Sequence, residues 1–279
     1  MAQQLYSILT KIFPSDIITI ILLHLDNALI IELQDYFPKL LKYIMLNGNE
    51  LKLINKNNYK YIAKLKCFHY ENIQDILPFL VNLVHLDCSN CFNITDASIY
   101  NLTKLTEFNC SCCDITDAAI HRLVNLTELN CSYSSRITDA SILHLNNLTK
   151  LRCMGCQGIT DVSIKKLINL TELMFVTCPE ITDASLQYLI NLTVLNCRSN
   201  MRITDVSIRH LVNLKILDCR HNNGITDVSI KQLVNLSELY CSDCDGITDA
   251  SVKHLVHLVK LQCWACSGIT GESINLVRL

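Results

Sequence analysis

The residues best equipped for chemistry in this chain are its cysteines, 16 among 279 residues. Cys88, Cys91, Cys110 and Cys113 spell C-x2-C-x18-C-x2-C, a spacing that suits a zinc site. Three more C-x-x-C pairs follow at Cys153 and Cys156, Cys241 and Cys244, and Cys263 and Cys266, and each has the form of a dithiol redox pair. Sorting the cysteines by position changes this picture. One column holds Cys88, Cys110, Cys131, Cys153, Cys197, Cys219, Cys241 and Cys263, with Phe175 in the missing place. A second column, three residues later, reads Cys91, Cys113, Ser134, Cys156, Cys178, Asn200, Asn222, Cys244 and Cys266. Cys, Ser and Asn have little in common as metal ligands, yet each carries a side-chain hydrogen-bond donor. The second column therefore reads as an internal ladder that satisfies the carbonyls of buried turns. The first reads as a small hydrophobe packed under the next strand. No metal and no cofactor is expected.

No catalytic residue is expected either. Ser98 and Asp96 recur in step with the same period, and His121, His144, His210 and His254 fall on the outer helical side. There is no glycine-rich phosphate loop, no His-Glu-x-x-His pair and no nucleophile elbow.

The element that positions these columns is a repeat. Units begin at Leu80, Leu102, Leu123, Leu145, Leu167, Leu189, Leu211, Leu233 and Leu255, a step of 22 residues with one step of 21. A degraded unit precedes them, because Leu65, Cys67, Ile73 and Asp75 keep the spacing of Leu86, Cys88, Ile94 and Asp96. Within a unit, Leu126, Leu129 and Cys131 supply the apolar positions of L-x-x-L-x-L, the leucine-rich-repeat pattern. The strand they imply alternates sides, with Leu129 and Cys131 inward and Glu128 and Asn130 outward. The expected fold is α/β, a leucine-rich-repeat solenoid with a parallel concave sheet and short convex helices. Nine strands at about 4.8 Å per step give a face roughly 40 Å long. The helices start at Ile-Thr-Asp-x-Ser-Ile, where Thr138 caps and Asp139 sits in the first turn.

Composition excludes several function classes. Half of the residues are hydrophobic, 18% are charged and the formal net charge is -2, so the chain has no field for nucleic acid or for an anionic membrane. Arg122, Lys165, Lys166, Arg209, Lys231 and Lys253 gather at the helix C-termini, where the helix dipole favours cations, and the Asp row of the neighbouring helices balances them. The apolar run Ile17 to Leu23 is far short of the roughly 20 residues of a membrane span and lacks the flanks of a secretory signal. Residence inside a cell is expected, and the Asn-Leu-Thr triplets at Asn101, Asn125, Asn147, Asn169 and Asn191 then have no route to glycosylation.

Before the repeats the period changes. Ser15 is a cap, Ile17, Ile18, Ile21, Leu22 and Leu25 follow at helical spacing, and a second helix is expected from about Leu29 to Tyr36, stopped by Pro38. The expected organisation is a tail over 1–12, a helical segment over 13–50, a connector with the degraded repeat over 51–79, and nine repeats over 80–279.

The run FPSDIITIILLHLD, Phe13 to Asp26, resembles the opening of an F-box, Leu-Pro-x-Glu-Ile-Leu-x-x-Ile-Phe-x-x-Leu-Asp. Pro14, Ile17, Ile21, Leu25 and Asp26 match it outright, and Phe13, Asp16, Ile18 and Leu22 are conservative replacements. The repeats resemble the cysteine-containing leucine-rich repeats of F-box proteins. Their uniformity and their use of Ile, Asn and Lys are similar to F-box and repeat proteins of amoebal giant viruses. The resemblance implies a non-catalytic substrate receptor of an SCF-type ubiquitin ligase, placed in the host cytoplasm. Phe13, Pro14, Asp16, Ile17, Ile18, Ile21, Leu22 and Leu25 would bind the adaptor subunit, and the repeats would hold a target protein. On the outward strand positions the residues suited to that target are Arg152, Met154, Met174, Val176, Val194, Arg198, Ile216 and Arg220, followed by Tyr240 and Trp264. A second reading stays open, a free-standing interaction scaffold whose N-terminal helices only cap the first repeat.

Overall fold

The structure, a computed structural model, describes residues 2–12, 26–42, 44–67 and 73–270. The chain forms two compact units, Met1–Ile115 and Thr116–Leu279.

In the first unit the segment expected as a tail is an α-helix, Ala2–Ile12, with Leu9 buried. Its apolar residues Leu5, Ile8, Leu9 and Ile12 recur at helical spacing. The next described helix is Asn27–Glu32, capped by Asp26, whose Oδ1 accepts from the Leu29 N–H at 2.9 Å. It ends before the expected Tyr36. Gln34 is buried beyond it, donates from Nε2 to the carbonyls of Ile31 and Leu53, and accepts at Oε1 from the Asn55 N–H. Those bonds hold the chain in a turn, where a continued helix would carry the side chain away. Strand β1, Leu46–Asn47, pairs in parallel with β2, Lys64–Lys66, so the stack begins within the stretch assigned to the N-terminal helical segment. Strands β3, His85–Asp87, and β4, Glu107–Asn109, continue it with Leu65, Leu86 and Phe108 in register. Leu46, Leu65 and Leu86 are fully buried, and Phe108 nearly so.

In the second unit seven strands stack in chain order: β5 Glu128–Asn130, β6 Lys150–Arg152, β7 Glu172–Met174, β8 Val194–Asn196, β9 Ile216–Asp218, β10 Glu238–Tyr240 and β11 Lys260–Gln262. The central residue of each strand from β5 to β10, Leu129 to Leu239, is buried, and the first column behind it from Cys131 to Cys241 is fully buried. Each leucine so buried contributes about 2 kcal/mol of transfer free energy.

Helices of four residues such as Asp139–Ile142 are too short to persist alone. Side-chain ladders hold them. Asp117 accepts from the Thr138 N–H at 2.8 Å, from Thr138 Oγ1 at 2.6 Å and from Ser141 Oγ, one repeat further on. Asp139, Asp161, Asp183, Asp205 and Asp227 each take the N–H and the hydroxyl of the next repeat's threonine in the same way. The Asp row expected to balance the helix-end cations is therefore bound to threonine and serine. Asn147, Asn169, Asn191, Asn213 and Asn235 donate to carbonyls 23 residues earlier at 2.9–3.1 Å. Thr149, Thr171 and Thr193 donate to carbonyls 22 residues earlier. The Asn-Leu-Thr triplet thus recurs because both of its polar side chains staple neighbouring turns.

The second cysteine column forms the inner ladder. Cys156, Cys178 and Cys244 donate from Sγ to the carbonyls of Cys131, Cys153 and Cys219 at 3.1 Å, and Cys91, Cys113 and Cys266 do the same at 2.9–3.0 Å. Asn200 substitutes in the row, with Nδ2 2.7 Å from the Phe175 carbonyl. Asn222 departs slightly, because its Nδ2 reaches the Asn200 carbonyl at 2.8 Å. First-column thiols also make weak forward contacts, as from Cys88 to the Asn109 carbonyl at 3.4 Å.

Candidate functional site: the outward sheet face of the second unit

Strand alternation puts Leu151, Leu173, Leu195 and Leu217 inside and sends their neighbours to the other face. Pairing then sets Arg152 beside Met174, and Val194 beside Ile216. Tyr240 lies in register with Asp218 and Gln262. Met154, Val176, Arg198, Arg220 and Trp264 follow the inward first-column position in their repeats, and so return to the same face. The target-binding residues expected from sequence are thus gathered on one surface of this unit. All are partly exposed, Trp264 most of all at 75%. The adaptor-binding residues Phe13, Pro14, Asp16, Ile17, Ile18, Ile21, Leu22 and Leu25 lie outside the described residues.

Partners that the sequence reading missed occupy several of the charged groups. Arg152 donates from Nε and Nη2 to Glu172 Oε1 at 2.9 and 2.7 Å. Arg220 grips Asp218 with two bonds, 2.8 Å from Nε to Oδ1 and 2.6 Å from Nη2 to Oδ2, which raises its already high pKa. Its guanidinium also stands 5.6 Å from the centroid of the Tyr240 ring, with Lys260 Nζ at 5.1 Å from the same ring. Lys150 pairs with Glu128 at 2.6 Å. The face is a sheet of apolar residues, Met154, Met174, Val176, Val194 and Ile216, bordered by internally neutralised ion pairs.

Arg198 is bound differently. Its Nη2 lies 3.3 Å from His221 Nε2, and His221 Nδ1 lies 3.0 Å from Asp243 Oδ2. A guanidinium only donates, so His221 accepts at Nε2 and carries its proton at Nδ1, facing Asp243. Ser199, His221 and Asp243 fall in the same left-handed position of three successive repeats, with φ of 58°, 58° and 60°. A Ser, His and Asp in line suggests an activated nucleophile. Here the imidazole nitrogen that would serve Ser199 is turned to Arg198, so the row orients an arginine. The 22-residue spacing of these three side chains was visible in the sequence.

The thiols form no site of this kind. Among the described residues, no group of three or more His, Cys, Asp or Glu side chains is placed to hold a metal ion. Burial pushes the Cys197 and Cys241 thiols far above their ordinary pKa, and hydrogen bonding to Cys113 together with burial does the same for Cys88. These first-column thiols stay protonated, whereas Cys113, Cys156, Cys178 and Cys244 of the second column are pulled below the ordinary thiol value by their hydrogen bonds to the first-column cysteines Cys88, Cys131, Cys153 and Cys219. No helix among the described residues is long and apolar enough to cross a membrane.

Comparison with known proteins agrees with this architecture. Residues 190–232 match the family model described as leucine-rich repeats in two copies. The comparison with curated proteins finds no match. Among solved structures, the chain is similar to a chain of the yeast Rad7–Elc1 complex, at 18% identity and a TM-score of 0.65, over 93% of this chain and 82% of that one. It is similar to internalin C2 of Listeria monocytogenes, at 29% identity and a TM-score of 0.55, over 68% of this chain and 84% of that one. A third likeness is to the functional domain of InlJ from Listeria monocytogenes, described as including a cysteine ladder. It has 22% identity and a TM-score of 0.53, over 78% of this chain and 56% of that one. The parallel strands in chain order, the short helices and these likenesses together make the fold a leucine-rich-repeat solenoid.

Proposed function

We propose that the chain is a non-catalytic substrate receptor of an SCF-type ubiquitin ligase, in which the segment from Phe13 to Leu25 binds the adaptor and the outward sheet face binds a target protein. The observation that carries the binding half is the face itself: a partly exposed apolar surface with aromatic and arginine side chains, on a scaffold whose reactive side chains are spent on its own hydrogen bonds. The F-box-like run in the sequence supports the adaptor half. So does the likeness in fold to a chain of the two-protein Rad7–Elc1 complex. The chain itself would break and form no bonds and would act by proximity. Such work would be done inside a cell.

The second reading, a free-standing scaffold, is favoured by the helices and turns that precede β2 in the first unit and cover its early leucines. Purified adaptor subunit separates the two. The full chain is expected to bind it in titration calorimetry, and Ile17→Asp with Ile18→Asp is expected to abolish binding while leaving the circular dichroism of the repeats unchanged. Absence of binding by the intact chain overturns the ligase reading and leaves the scaffold.

A further inference from the structure

Arg198 differs from the other cations of the outward face. On that face Glu128, Glu172, Asp218, Glu238 and Asp243 are already engaged, by Lys150, Arg152, Arg220, Lys260 and His221 respectively. No carboxylate among the described residues lies within ion-pair distance of Arg198. Its side chain is nevertheless fixed, because Asp243 holds the His221 ring and the ring nitrogen holds Nη2. The donors on Nε and Nη1 and the second N–H of Nη2 remain open, so a fork of Nη2 with one of those neighbours still matches a carboxylate in two bonds. Beside it the same row continues with Val176 and then Met154, both half-buried.

The geometry points to an acidic subsite: Arg198 takes an Asp or Glu side chain of a protein partner's extended segment, and an apolar side chain of that segment covers Val176 and Met154. The inference rests on the reading of this face as a docking surface and names the chemistry of its occupant. Neighbouring strands are about 4.8 Å apart, so Val176 and Met154 stand roughly 5 and 10 Å from Arg198 along the row. Alternate side chains of an extended peptide are about 7 Å apart. An apolar residue two positions from the acid therefore falls over that pair. The charge balance selects an acid: a basic segment would meet the strand carboxylates Glu128, Glu172, Asp218 and Glu238, each already paired with a cation, whereas an acidic one meets a guanidinium held in place with donors unused.

The test uses the full chain and a random peptide library displayed on phage. Selected peptides are expected to carry Asp or Glu two positions from an aliphatic or aromatic residue. Synthesised, the best of them should bind Arg198→Ala about 10- to 100-fold more weakly in fluorescence anisotropy, the range of a charge-assisted bidentate pair. Arg198→Lys should recover part of the loss, and alanine at the peptide's acid should cost nothing further on the Arg198→Ala background. Val194→Trp, a bulky block on the same face, separates the failures. Selected peptides that are basic overturn the inference, as do peptides blocked by Val194→Trp yet indifferent to Arg198→Ala. Binding indifferent to both substitutions overturns the docking reading of the face as well.

Discussion

Replacing Asn200 with alanine is expected to lower stability by about 2–4 kcal/mol, read as a fall in the urea midpoint at unchanged slope. Asn200 is buried, and its side chain works in both directions. Nδ2 donates to the Phe175 carbonyl at 2.7 Å and to the Arg198 carbonyl at 3.0 Å, while Oδ1 accepts from the Cys178 N–H at 2.8 Å. Alanine removes three buried hydrogen bonds, each worth about 1 kcal/mol net, although the Cys178 N–H and the Phe175 carbonyl can then close on each other as Cys156 and Cys153 do. Cysteine at the same place should cost less than half as much. In the rows that already hold cysteine, Sγ donates to the equivalent carbonyl, and the N–H of the preceding ladder residue bonds within its own turn, as Cys156 N–H does to the Cys153 carbonyl. Equal losses for Asn200→Ala and Asn200→Cys would mean that packing, and not the donor, governs the column.

The second large effect is expected at the outer edge of the repeats. Asp183→Ala removes the acceptor of the Thr204 N–H at 2.9 Å, of Thr204 Oγ1 at 2.6 Å and of Ser207 Oγ, and Ser207 is fully buried. Hydrogen bonds to a charged acceptor are worth about 1.5–3 kcal/mol each when sheltered, and part of this cluster is exposed, so the expected loss is about 3 kcal/mol. Asp183→Asn keeps one acceptor oxygen and should lose roughly half of that. The equivalent bonds from Thr270 to Asp249 are exposed, so Asp249→Ala should cost clearly less in the same thermal or urea measurement. A loss below 1 kcal/mol for Asp183→Ala would remove the ladder from the account of how the helices are held.

Much of this was legible in the chain because a repeat reports the same information many times. The spacing of Leu126, Leu129 and Cys131 sets the inward side of every strand, and the exchange of Cys for Ser and Asn in the second column points to a hydrogen-bond donor. The outward residues were legible too, since alternation alone places Arg152, Met174 and Ile216 on one face. What sequence reasoning missed lies in pairing between repeats. Nothing in the identity of Arg152 says that Glu172, on the next repeat's strand, will grip it. The Asp of Ile-Thr-Asp serves its own helix dipole as expected, but its carboxylate reaches the next repeat's threonine, a contact that needs the stacking distance to be known. Helix Ala2–Ile12 and strand β1 were missed for another reason: they lie where the period is absent, and there the apolar spacing of a few residues is the only signal.

The claim beneath all of this is that the cysteines build the binding scaffold and perform no chemistry. Alkylation of the native, reduced protein, read by mass spectrometry with and without a zinc chelator, tests it most directly. Cys112 and Cys263, the partly exposed thiols, are expected to label in the folded chain, and the buried ones such as Cys88, Cys153 and Cys219 only after unfolding, in the same pattern whether or not chelator is present. Labelling of Cys88, Cys91, Cys110 and Cys113 together on addition of chelator would mean that they hold a metal, and would contradict the account.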